Sequence, residues 1–513
     1  MNKTLIYQKI SNLQMVEKIR TTANNHLDKN NKIEYGQFMT PSSVSTFMAS
    51  LFPESNYDKI YLLDPGSGVG SLTFAFINNA MNWKKVKEIS IDAYEIDDIM
   101  IKYLQSNIEN IENDVAFNTF SLKPKIIKED FILSASEIIS NNYGLWAEKK
   151  EKYTHCIMNP PYKKIACSSI HRKYLSNIGI ETVNLYSGFV ALSLELLNEN
   201  GYLVAIIPRS FCNGTYYKPF RDYILKRSSI KQIHLFESRT NAFKDDKVLQ
   251  ENIIILLEKS GKQGDVIIST STDDRFTDLT SKEFDFNSIV NSTDNNLFIH
   301  IPTIKNNISY QNSNYISSTL DEIGIQVSTG PIVDYRLKKY LKKDYINGTI
   351  PLIYPAHFEK MTVIWPKENF KKYNAIINNE DTDKWFYPND YYIVVRRFSS
   401  KEEKRRIVAS VFDPHKFAGF DFVAFENHLN VFHINKNGLP EDLAYGLAIY
   451  LNSKMFDDAF RLFSGHTQVN ATDLRGMKYP NKETLIILGK KRKNYQNLTT
   501  EIIDDLLTRI NGG

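Results

Sequence analysis

The chain has 513 residues, with 63 Lys and Arg against 59 Asp and Glu, a net charge of +4. Hydrophobic residues at 42% and charged residues at 24% exclude wholesale disorder, and the length accommodates about two to four domains. Three cysteines, Cys156, Cys167 and Cys212, exclude a disulfide framework or a zinc site, and no apolar run reaches the roughly 18 residues that span a bilayer.

Residues 1–32 are polar, with one helix expected over Tyr7 to His26. The opening MNKTLIYQKI lacks the apolar core of a secretion signal, so the expectation is a soluble cytoplasmic protein that meets no membrane. Near Thr40-Pro41 the pattern turns helical, with Val44, Phe47, Met48 and Leu51 on one face and Thr40 or Ser42 as cap. Strand and helix signals then alternate. Strands are expected over Lys59–Leu63, Ile89–Tyr94, Ile126–Phe131, Tyr153–Met158, Gly201–Ile207, Ile230–Phe236 and Val248–Leu257. Helices are expected over Leu72–Met81, Ile99–Ile108, Ser187–Leu197 and Phe220–Lys226. Alternation of this kind predicts an α/β fold, a doubly wound, Rossmann-like parallel sheet, over residues 33–262. Residues 263–320, rich in Ser, Thr, Asn and Asp, read as a linker with short strands. Residues 321–513 read as a second, mixed α/β domain that ends in helices over Pro440–Leu462 and Glu501–Ile510.

Three acids stand at successive strand ends. The first strand runs into Asp64-Pro65-Gly66-Ser67-Gly68-Val69-Gly70, where glycines let the backbone turn tightly and approach a ligand. A dinucleotide site prefers G-x-G-x-x-G; an acid ahead of the turn instead suits a cationic amine, such as the ammonium of S-adenosylmethionine. After the second strand, Glu95 can accept from ribose hydroxyls, and after the third, Asp130 can accept from an adenine amino group. The fourth strand ends in Asn159-Pro160-Pro161-Tyr162. Two prolines remove two backbone donors, which leaves carbonyls and the Asn159 side-chain oxygen as acceptors. If Asn159 and the Pro160 carbonyl take both hydrogens of an exocyclic amino group, its lone pair is aimed at an electrophile, and Tyr162 offers a flat face to the base. No metal is needed, and His466 has no Cys or His partner at ligand spacing.

These motifs, in this order, resemble the gamma-class amino-methyltransferases of bacterial restriction–modification systems, the adenine-N6 DNA methyltransferases. The resemblance covers residues 34–260 and is looser beyond. It implies that Thr40 touches the cofactor together with Asp64, Gly66 and Gly68. Glu95 then binds the ribose, Ile96 packs on the adenine, and Asp130 reads the adenine amino group ahead of Phe131. Asn159, Pro160, Pro161 and Tyr162 form the catalytic tetrapeptide. Phe243 fits either a second aromatic that sandwiches the flipped base opposite Tyr162 or a plain core residue.

The resemblance assigns residues 321–513 to target recognition. All of the +4 excess lies there, 28 Lys and Arg against 24 Asp and Glu, while the first 320 residues balance. Three basic clusters stand out, at Arg396-Arg397, Lys404-Arg405-Arg406 and Lys490-Lys491-Arg492-Lys493, beside a polar loop over 463–470. The expected substrate is double-stranded DNA, clamped by a monomer, with one adenine flipped from the stack. A cognate restriction endonuclease or a solitary role both fit, and there is no length for a fused nuclease. Cytosine-N4, rRNA and protein glutamine stay open as acceptors, because the tetrapeptide serves amino and amide nitrogens alike. A non-catalytic DNA-binding module is disfavoured by the intact tetrapeptide and Gly turn.

Overall fold

The computed structural model describes residues 16–23, 39–112, 120–141, 152–237, 251–290, 294–302, 316–399, 403–463, 468–495 and 498–511. The chain divides into two compact units, residues 1–304 and 305–513. Among the described residues no helix is long and apolar enough to cross a membrane.

The first unit is built on nine strands. They are β1 (Lys59–Pro65), β2 (Glu88–Tyr94), β3 (Ser121–Ile127), β4 (Tyr153–Met158), β5 (Leu197–Pro208), β6 (Ser228–Phe236), β7 (Asn252–Lys259), β8 (Val266–Ser271) and β9 (Thr280–Phe284). Their order across the sheet is β3-β2-β1-β4-β5-β7-β6-β8-β9. The helices are α1 (Ser42–Ser50), α2 (Ser71–Ala80), α3 (Asp98–Glu112), α4 (Phe131–Asn141), α5 (Ile170–Asn177), α6 (Leu185–Leu196) and α7 (Lys218–Arg227).

Apolar runs in the central strands serve both faces, because successive side chains of a strand point opposite ways. Cys156 and Met158 of β4, Leu203, Ala205 and Ile207 of β5, and Ile253, Ile255 and Leu257 of β7 pack into one core with α4 and α6. The alternate residues Ile157, Val204, Ile206, Ile254 and Leu256 pack into the other core with α1 and α2. This is the doubly wound arrangement expected.

Several boundaries differ from the sequence reading. The sheet is mixed, not parallel throughout. Strands β3 to β5 run parallel, but β7 lies antiparallel to both β5 and β6. The stretch 263–320 is not a linker at its start, since β8 pairs parallel with β6 and β9 antiparallel with β8. Strand β8 ends in Ser269-Thr270-Ser271 and the edge strand β9 is polar and exposed over Thr280-Ser281-Lys282-Glu283, a composition that alone reads as loop. Strand β3 stops at Ile127, and Phe131 opens α4. Helix α1 carries no side-chain cap from Thr40 or Ser42; instead Glu17 Oε2 accepts from the Ser42 N–H at 3.0 Å. Of the expected N-terminal helix, residues 16–23 are helical and the rest lies outside the described residues.

The second unit holds a six-stranded sheet ordered Gln326–Thr329, Leu429–His433, Tyr392–Arg396, Ala409–Phe412, Thr362–Val363, Phe358–Glu359. A five-stranded sheet is ordered Leu341–Lys342, Ala375–Ile377, Thr349–Ile353, Phe422–Phe425, Tyr387–Pro388. The single helix expected over Pro440–Leu462 is two, Glu441–Leu451 and Lys454–Phe463. Asn452 and Ser453 break it. Asn452 Nδ2 donates to the carbonyls of Ala448 and Ala409, and Ser453 Oγ accepts from the Phe456 N–H at 3.0 Å, opening the next helix. The last helix is Thr500–Asn511.

Candidate active site

The site forms at the C-terminal ends of β1, β2 and β4, where loops leave an open α/β sheet. After β1 the backbone turns through Gly66 at φ 80° and Gly68 at φ 56°. A Cβ on Gly68 would meet nothing within 4 Å, so glycine is required there by conformation and not by space. The turn is tied to the end of β2. The N–H groups of Gly66 and Ser67 donate to the Tyr94 carbonyl at 2.9 and 2.8 Å.

Glu95 completes that tie. Its Oε2 accepts from the Gly68 N–H at 2.8 Å, and its Oε1 accepts from the N–H groups of Ile96 and Asp97, each at 2.8 Å. Burial pushes its carboxyl above the ordinary range, while the three backbone donors favour the charge. A carboxylate has about four acceptor sites, so three bonds leave less capacity than two ribose hydroxyls would use. Ile96 beside it is 49% exposed and lines the cavity.

Asp64 is fully buried and does not line the cavity. Its Oδ2 accepts from the Thr73 hydroxyl at 2.6 Å, while Oδ1 has no hydrogen-bond partner. Burial pushes this carboxyl up to about 7. The acid therefore lies beneath the Gly turn as an under-satisfied acceptor, a different place from the ligand-facing one expected.

Asp130 stands between β3 and α4. Its Oδ1 accepts from the N–H groups of Ile132 and Leu133 and so caps α4. Its Oδ2 meets His171 Nε2 at 2.8 Å. Burial works against the Asp130 charge, but the His171 hydrogen bond and charge prevail and hold the carboxyl below its usual range. The Asp130 hydrogen bond in turn raises His171. Phe131 packs against Tyr94 and Phe189 at ring distances of 5.2 and 5.0 Å.

The tetrapeptide follows β4. Asn159 Nδ2 donates to Thr40 Oγ1 at 3.0 Å, and its Oδ1 accepts from the Tyr162 hydroxyl at 2.9 Å. The Tyr162 hydroxyl also contacts the Ile206 carbonyl at 3.0 Å. Both ends of the carboxamide are thereby oriented. The Tyr162 ring is half-buried against the core, and burial pushes its hydroxyl far above the ordinary range. Thr40 thus holds the asparagine as well as lining the cavity.

One cavity of about 510 Å³ gathers these parts. Its wall includes Thr40, Gly66, Gly68, Glu95, Ile96, Asp130, Phe131, Asn159 and Pro161. Pro160, Tyr162 and Asp64 are not on it. Phe243 lies outside the described residues. The sequence reading missed the segment after the tetrapeptide, from which Lys163, Lys164, Ser169 and His171 line the cavity. Its position, directly after the fourth strand end, was the available signal. The lining fits S-adenosylmethionine: Glu95 and Asp130 each keep about one acceptor site, for one sugar hydroxyl and for an amino group, Ile96 and Phe131 offer apolar faces to a flat ring, and the turn carries no side chain at Gly66 and Gly68.

Comparison with known proteins gives the family. Residues 12–243 match the Eco57I restriction-modification methylase family. The type II methyltransferase M.BsuBI of Bacillus subtilis is 48% identical over 499 residues, covering 97% of this chain and 98% of that protein. The type II methyltransferase M.PstI of Providencia stuartii is 44% identical over 474 residues, covering 92% of each. In fold, the chain is similar to the Type IIL restriction-modification enzyme MmeI in complex with DNA, with a TM-score of 0.51 at 11% identity over 98% of this chain and 72% of that one. The chain belongs to the type II methyltransferase family of restriction–modification enzymes.

Proposed function

We propose that the protein is a site-specific DNA methyltransferase that moves a methyl group from S-adenosylmethionine to the exocyclic amino group of an adenine flipped out of duplex DNA. The observation that carries this reading is the shared cavity, which puts Asn159 and Pro161 on one wall with Gly68, Glu95, Ile96 and Asp130. When bound, the cofactor supplies an electrophilic methyl on a sulfonium. Thr40, Glu95, Ile96, Asp130 and Phe131 would hold it, over a turn that buries Asp64. The target base is extruded because its amino group is out of reach inside the duplex.

Asn159 Oδ1 and the Pro160 carbonyl accept the two amino hydrogens, turning the nitrogen lone pair toward the methyl. Thr40 and Tyr162 keep the carboxamide from rotating. The Tyr162 ring backs the base. The amine so held would take the methyl that the bound cofactor supplies and would shed a proton to solvent, and positioning by Asn159 and the Pro160 carbonyl would supply most of the rate. Residues 321–513 read the target sequence, for a host that also carries a matching endonuclease or uses the methyl mark alone.

The test uses purified protein, methyl-labelled S-adenosylmethionine and, separately, duplex DNA, rRNA and a protein acceptor. Label in DNA that disappears with Asn159→Ala supports the reading. Label confined to RNA or protein overturns it.

A further inference from the structure

Several of the arginines in the basic clusters of the second unit already have partners. Arg396 pairs with Glu403, and Arg492 pairs with Glu441 and lies on the Tyr445 ring. Arg406 is buried, its Nε donating to Ser399 Oγ at 3.1 Å. Arg397 differs. Its Nη1 donates to the Asn427 carbonyl and its Nη2 to Gln468 Oε1, each at 3.2 Å. Its Nε has no partner. Among the described residues these acceptors are neutral, so the guanidinium is oriented without being neutralised.

Three segments distant in sequence meet around it. Strand Tyr392–Arg396 ends where Leu429–His433 begins, with Arg396 opposite Leu429. One step further, the Arg397 N–H donates to the His428 carbonyl at 2.8 Å. A third segment joins through a bridge between Phe398 and Gln468, and the Val469 N–H donates to the Arg397 carbonyl at 2.7 Å. Phe398 is 43% exposed and lies against the His428 ring at 4.8 Å, tilted by 44°. Beneath, Glu426 has a side chain 0% exposed and meets His428 Nδ1 at 2.5 Å, while the His428 side chain is itself 43% exposed. A buried carboxylate needs a partner, and this one fixes the direction of a surface histidine.

Resting on the DNA reading above, we propose that Arg397, Phe398, His428 and Gln468 form a sequence-reading contact to the base edges of duplex DNA. An uncompensated cation asks for an anionic partner. A phosphate contact needs only a charge, and mobile lysines serve it. Here the fork of Arg397 and the amide of Gln468 hold each other at a set spacing, which suits hydrogen bonding to guanine and adenine edges. The exposed ring of Phe398 offers an apolar surface for a thymine methyl.

The test expresses the full chain and its Arg397→Ala, Arg397→Lys, Phe398→Ala, His428→Ala and Gln468→Ala variants in a host free of DNA methylation. Methylated positions are then mapped across the genome. The wild type defines a recognition sequence. Arg397→Ala and Gln468→Ala are expected to lose discrimination at one or two positions of it, by about 10-fold or more. Arg397→Lys, which keeps the charge but not the fork, relaxes the same position. Binding of S-adenosylhomocysteine, measured by calorimetry, stays at the wild-type level and shows that each variant is folded. Phe398→Ala removes an exposed ring and keeps the test open if an Arg397 variant fails to fold. The same sequence methylated to the same extent by all variants overturns the proposal. So does a uniform loss at every site with a shallower salt dependence, which marks a phosphate contact. No DNA methylation by the wild type overturns the parent reading, and this one with it.

Discussion

In the first unit, Asn159, Glu95 and Asp130 come from three strand ends and line one cavity. In the second, Arg396, Arg406 and Arg492 come from three basic clusters and turn to Glu403, Ser399 and Glu441. Both sets were visible as residue types. The difference lies in what fixed their geometry. A strand, a turn and a helix N-terminus place an acid within a few residues of the signal itself. A basic cluster takes its direction from hydrogen-bond and ion-pair partners outside the cluster, which its own residue types do not announce. Charge runs therefore indicate little until their partners are located, whereas strand-end motifs carry their own geometry.

The sharpest way to break this contrast is at the tetrapeptide. Asn159→Ala is expected to lower kcat by about 10²- to 10³-fold, as when a positioned polar group at a reacting centre is removed. The affinity for S-adenosylhomocysteine, read by calorimetry, should hold. A loss in cofactor affinity equal to the loss in kcat would mean that Asn159 belongs to cofactor binding.

Asp64 offers a test by pH. Its carboxyl is raised to about 7 in the folded chain against an ordinary 3.8. The folded state thus holds that proton more tightly than the unfolded state. The group's contribution to stability is greatest below the unfolded value and is lost as pH rises to about 7. The span is on the order of 4 kcal/mol. Urea unfolding of Asp64→Asn between about pH 4 and 8 should show a flatter dependence than wild type. An unchanged slope would place the acid in a wetter setting.

Smaller effects follow from single hydrogen bonds. Thr40→Val removes the acceptor of Asn159 Nδ2, and kcat is expected to fall about 5-fold, with Thr40→Ser restoring it. His171→Ala releases Asp130 Oδ2. Cofactor affinity should weaken about 3- to 10-fold, and preference for S-adenosylhomocysteine over its 6-oxo analogue should shrink. Retained preference would separate His171 from the reading of the amino group. In the second unit, Arg492→Ala should lower stability by at most about 1 kcal/mol, from a partly exposed pair and ring contact. The salt dependence of DNA binding should not move, because that charge is already spent on Glu441.

The same contrast explains what the sequence could disclose. The Gly turn, Glu95, Asp130 and the tetrapeptide were legible because each lies within a few residues of a strand with a strong apolar pattern. Strands β8 and β9 were not, because Ser269-Thr270-Ser271 and Thr280-Ser281-Lys282-Glu283 give them a polar composition that reads as loop. His171 was hidden for another reason. Its role depends on Asp130, 41 residues earlier, across a fold that composition does not reveal. The face around Arg397 needs three segments, and only two of them drew attention, each without the other. Asp64 had the right residue type in the right motif, yet the turn buries it.

The central claim concerns the adenine amino nitrogen presented by Asn159. Duplex DNA methylated by the wild-type protein with labelled S-adenosylmethionine can be digested to nucleosides and separated. The account predicts label in N6-methyldeoxyadenosine, absent when Asn159→Ala replaces the wild type. Label in N4-methyldeoxycytidine, or in any nucleoside methylated on carbon, would contradict it.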